Sequence, residues 1–87
     1  MRIRQLIDEI QSLQKFPTHK STMDICRLLE NNKLLFLEKM EEDNYNYSYS
    51  NFERLSQQNY KEYNTTNYLS DYTKAHNMLS FYLNRII

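Results

Sequence analysis

Glycine is absent from this chain of 87 residues, and that absence weighs more than any other feature on what it can fold into. Tight β-hairpins turn through residues at positive φ, which glycine reaches freely and Asn or Asp with some cost. A meander of short strands joined by such turns is therefore disfavoured. The apolar set points the same way, with eleven Leu and six Ile but no Val and no Trp, whereas strands are filled best by β-branched side chains. Helices can end without glycine because Asn tolerates the left-handed conformation, and ten Asn are present. The expected class is all-α, a small antiparallel bundle of three to four helices in a single domain, 1–87. A chain this short buries only about 60–65% of its unfolded surface, so its core has little to spare.

Hydrophobic spacing places the helices. Ile3, Leu6, Ile7, Ile10 and Leu13 form one apolar stripe, which predicts a first helix over about 2–15, stopped by Pro17. Ser21 stands three residues before Asp24 and is the expected cap of a second helix over about 22–43. Its apolar residues, from Met23 and Ile25 through Leu37 and Met40, cover more than one face, as suits a central helix. Asn31 and Asn32 interrupt that run and leave a break into two shorter helices open. Residues 44–50 are expected as a loop. Ser50 and Glu53 then resemble a capping box, which opens a third helix over about 51–62. Tyr68, Tyr72, Ala75, Leu79, Tyr82 and Ile86 step by fours and threes, the seam of a last helix over about 66–86. Asn64 leaves open whether these last two helices are fused.

Charge and rare residues exclude several functions. Eleven basic residues balance eleven acidic ones, which is not the composition of a general nucleic-acid binder. One cysteine, Cys26, cannot form an internal disulfide and fits a reducing compartment. No apolar run is long enough to span a membrane, so the expected location is cytoplasmic with no membrane partner. A phosphate-binding loop cannot be built without glycine. The two histidines, His19 and His76, and Cys26 lack zinc-ligand spacing, so no metal or cofactor is expected. A Cys26–His19 or Cys26–His76 nucleophile can be drawn, but Cys26 lies on an apolar helix face as a small hydrophobe. His76 is expected at the core edge and His19 in a solvated turn. No catalytic residue is assigned, and the protein is read as a non-enzyme.

The most unusual stretch is "EEDNYNYSYSNFE", residues 41–53. Tyr45, Tyr47 and Tyr49 alternate with Asn and Ser, the residue types that binding loops use for rigid contact area and adaptable hydrogen bonds. At a period of two the rings cannot all face one core. Glu41, Glu42 and Asp43 precede them, and within residues 38–53 only Lys39 opposes five carboxylates. An acidic run at a helix C-terminus opposes the macrodipole, a local cost that favours a functional purpose. Tyr45, Tyr47, Tyr49, Glu41, Glu42 and Asp43 are thus the expected contact residues for a partner protein with a basic surface, attracted by opposite potential. One form of such a partner is a host defence or DNA/RNA-handling protein whose basic groove the chain would occupy as an inhibitor. The small size, the lack of glycine and an Asn/Lys/Ile/Tyr bias of the kind AT-rich codons produce match the general type of phage or mobile-element accessory proteins. A second reading is a nucleotide or single-stranded nucleic-acid module, with tyrosine stacking and a weak anion site at Lys15, His19 and Lys20. A third is self-association as a homodimer through the broad apolar surface of helix 2.

Overall fold

The computed structural model describes residues 2–15, 18–57 and 65–86, those from 65 to 69 by their backbone alone. Among them lie five helices and no strand: α1 (Ile3–Gln14), α2 (His19–Asn31), α3 (Lys33–Lys39), α4 (Glu42–Gln57) and α5 (Thr65–Asn84). The all-α class expected from the missing glycine is what the chain adopts. No described residue has positive φ, so each described corner is turned in conformations open to any L-residue.

The first stripe forms α1 as spaced, with Leu6, Ile7 and Ile10 buried and Ile3 and Leu13 packed at the core's edge. The second helix begins earlier than Ser21. Thr18 is extended (φ −121°, ψ 166°) and its Oγ1 accepts the Ser21 backbone N–H at 3.1 Å, while Ser21 Oγ accepts the Thr18 N–H at 3.0 Å. This is a reciprocal capping box with serine in the place usually held by Glu. Ser21 therefore lies inside the first turn and Thr18 is the cap. Thr18→Ala should cost about 1 kcal/mol in a urea unfolding titration; a neutral result would return the cap to Ser21.

The single helix expected over 22–43 is two. At Asn32 the backbone leaves the helical region (φ −119°, ψ 27°), and the Asn32 Nδ2 donates to the Leu28 carbonyl at 2.9 Å. An Asn side chain competes in this way with the helical ladder for a carbonyl. The seven residues of α3 follow, and Met40 (φ −138°, ψ 160°) ends them in an extended corner. Phe36 is thereby driven fully into the core while Leu34 stays 79% exposed.

The expected loop 44–50 is also corrected, because it lies inside α4. Tyr45, Ser48, Phe52 and Leu55 are buried at steps of three, four and three, a helical stripe. Ser50 is exposed in mid-helix, so it caps nothing, and the helix expected from residue 51 starts at Glu42. Glu42 and Asp43 occupy the first turn, where the macrodipole favours anions. The acidic run thus opens a helix and carries no dipole penalty. The last helix forms close to its expected bounds, with Tyr72, Ala75 and Leu79 buried, but Leu83 and not the expected Tyr82 continues the buried stripe, and Tyr82 and Ile86 are half-buried. The end of the third expected helix and its junction with the fourth fall in 58–64, outside the described residues.

The longer helices close a ring, α1 against α2 and α5, α4 against α2 and α5, with α3 bridging α2 and α4. Cross-links fix the directions. Gln11 donates to Asn84 Oδ1 and Ser80 to Gln14 Oε1, so α1 and α5 run antiparallel. Tyr45 meets Leu29 and His19 meets Ser56, so α2 and α4 do too. Arg54 pairs with Asp71 and Phe52 packs on His76 along antiparallel α4 and α5. The result is an up-down-up-down bundle, 37 × 24 × 20 Å, with α3 as a short link at one end.

Candidate interaction surface

Helical geometry separates the three tyrosines. Tyr45 is 2% exposed and its hydroxyl donates to the Leu29 carbonyl at 2.8 Å, one turn before the α2–α3 break. Its ring lies 6.2 Å from that of Phe36 and is stacked, at 6.1 Å and 7°, on that of Tyr49. Tyr49 is partly buried and hydrogen-bonded to Glu53, which, with burial and the nearby Glu30 and Glu53 charges, pushes its phenol up to about 12. Burial, and then the Glu30 charge, raise the Tyr45 phenol as well. Both rings are committed to the α2–α4 seam. Tyr47, on the opposite side of α4, is 50% exposed.

Glu41, Glu42 and Asp43 are all exposed, and so is Glu38 before them. The ion pairs among the described residues are Arg27–Asp24 at 3.9 Å and Arg54–Asp71 at 3.6 Å, and neither involves this acidic turn. Asp43 and Tyr47 stand one helical turn apart on one face. Of the six expected contact residues, the structure therefore gathers Tyr47, Glu41, Glu42 and Asp43 at one exposed end and keeps Tyr45 and Tyr49 from it.

Beside that end is an open cleft of about 420 Å³, lined by Lys39, Met40, Glu41, Asn44, Tyr82, Arg85 and Ile86. It sits where the α3–α4 corner meets the C-terminus of α5. The Arg85 guanidinium lies 5.5 Å from the centre of the Phe81 ring, a cation–π contact, and Phe81 is 53% exposed. Sequence spacing could not show this cleft, because its two walls are some forty residues apart in the chain.

The remaining sequence candidates are dispersed. Lys15 and Lys20 are exposed on either side of the α1–α2 connection, but His19 is held by a 3.0 Å hydrogen bond between its Nε2 and the Ser56 carbonyl. That contact requires the hydrogen on Nε2. Cys26 is buried, and its thiol is pushed up by burial, partly offset by a hydrogen bond with Ser56. It stays protonated and packs as a small hydrophobe.

His76 lies deeper than the core edge. It is 8% exposed, wedged edge-on against Phe52 at 5.0 Å and over Tyr72 at 3.9 Å, and neither ring nitrogen has a hydrogen-bond partner among the described residues. Burial lowers its pKa to about 4. Ser48 Oγ is likewise buried and unpartnered among the described residues.

Among the described residues no group of His, Cys, Asp and Glu could hold a metal ion, and no helix is long and apolar enough to cross a membrane. The surface stands on its own geometry: comparison with protein-family models, with curated proteins and with solved structures finds no match to this chain.

Proposed function

We propose that this chain is a non-enzymatic interaction protein that binds a partner with a basic surface and modulates or inhibits it. The observation that carries this reading is the exposed turn Glu41–Asp43, unpaired among the described residues, with half-exposed Tyr47 one turn away. Unpaired carboxylates set up a negative potential that steers a cationic surface, and a neighbouring tyrosine supplies the anchor that charge alone does not. A basic nucleic-acid groove is one surface of that kind, and a chain occupying it would act as an inhibitor.

The stacking alternative loses its platform, because two of the three rings are turned into the α2–α4 seam. The acidic turn beside the third would repel phosphate.

The test compares capture from a lysate of the source cells by the wild type, by Tyr47→Ala and by Glu42→Gln/Asp43→Asn, at low and high salt. A protein retained by the wild type, weakened roughly tenfold or more by either variant and released by salt is the expected result. Capture that ignores both variants would overturn the reading. Filter binding of single-stranded DNA or RNA at low salt by the wild type would replace it with the nucleic-acid alternative.

A further inference from the structure

The bundle end that carries the acidic turn also carries the opposite charge. Lys39 and Arg85 line the cleft beside it, both are exposed, and neither forms an ion pair among the described residues. A negative and a positive half thus lie side by side on one small face. Two of the large apolar side chains left exposed flank them, Tyr47 on α4 and Phe81 on α5. Tyr47 is one turn beyond the cleft residue Asn44, and Phe81 is one turn before Arg85.

We infer that this face docks a second copy of the chain, the acidic turn of α4 from one copy meeting the Lys39–Arg85 cleft of the other. In a two-fold contact residue i meets residue j of the twin and j meets i. A uniformly acidic face would repel its own image under that rotation. A face with both signs juxtaposed becomes self-complementary, each copy giving its carboxylates to the other's cations. The zero formal charge of the whole chain removes long-range repulsion between copies. Tyr47 and Phe81 then supply the apolar contact that excludes water around the charges. The contact is confined to one end of a small bundle, 24 × 20 Å across its narrow axes, and rests largely on exposed charges that salt screens, so the association is reversible and concentration-dependent. This contact uses the same acidic turn as the function proposed above, so the twin and a basic partner compete for it. It does not require that partner to exist.

Sedimentation of the full chain over a wide concentration range tests it. The expected result is a shift from the 10.7 kDa monomer to a dimer, weakened by salt. Arg85→Glu alone and Asp43→Arg alone should each weaken self-association about tenfold or more. Mixing the two variants should restore a dimer, because each then offers the charge the other lacks. Circular dichroism checks folding, and Glu42→Arg replaces Asp43→Arg if that variant loses helicity. A monomer at every concentration overturns the inference while leaving capture of a basic partner unaffected. A dimer indifferent to salt and to both reversals overturns it as well, as does a mixture that stays monomeric.

Discussion

Between about pH 6.5 and about pH 4 the folded protein should lose on the order of 3 kcal/mol of stability through one residue, His76. Its pKa falls from 6.5 to about 4 on folding, and burial is the cause. The rings of Phe52 and Tyr72 pack against it, no described group hydrogen-bonds either nitrogen, and burial alone accounts for the shift among the described residues. The unfolded chain therefore takes up the proton first as pH drops. Stability is complete above the unfolded value and declines through the window until the folded imidazole itself protonates; each pKa unit corresponds to about 1.4 kcal/mol. Urea unfolding followed at several pH values should show this slope, and His76→Leu should abolish it above about pH 4.5, where carboxylates begin to add their own. The variant should also be at least as stable at pH 7, since it removes two buried nitrogens that have no hydrogen-bond partner among the described residues. A slope that survives the substitution would place the acid sensitivity elsewhere.

Tyr45→Ala and Tyr47→Ala should differ by several kcal/mol although they stand two residues apart. Removing the buried ring of Tyr45 opens a cavity beside Phe36 and deletes the bond to the Leu29 carbonyl, a loss of about 3–5 kcal/mol. Tyr45→Phe, which keeps the ring, should cost only about 1 kcal/mol. Tyr47→Ala should stay within about 0.5 kcal/mol of the wild type. Chemical denaturation of the three variants measures this directly. Comparable losses at Tyr45 and Tyr47 would mean that Tyr47 is also packed, and the contact surface would lose its aromatic member.

The two outer helices were legible because their stripes are unbroken. Ile3 through Leu13, and Tyr72 through Leu79, repeat at helical spacing with apolar side chains at nearly every step. In α4 the same spacing is concealed. Ser48, a small polar residue, fills the buried position between Tyr45 and Phe52, while Tyr47 interposes a ring on the outer face. Alternating tyrosines then suggest a period of two that the backbone does not follow. The acidic run was ambiguous for a related reason. Without knowing that Met40 turns extended, Glu41–Asp43 can be the end of one helix or the start of the next, and the dipole argument changes sign between them. Of the candidate surface, the carboxylates and Tyr47 could be named from local sequence, but the Lys39–Arg85 cleft is a product of tertiary folding alone.

A chain whose described corners never enter the left-handed region has a further advantage in its disordered state. Each glycine it does without is a residue that would have explored more of backbone space when unfolded. The denatured ensemble is correspondingly narrower, and less disorder is surrendered on collapse. For a domain with so thin an interior, restraint of the random chain contributes to the native fold without adding a single contact.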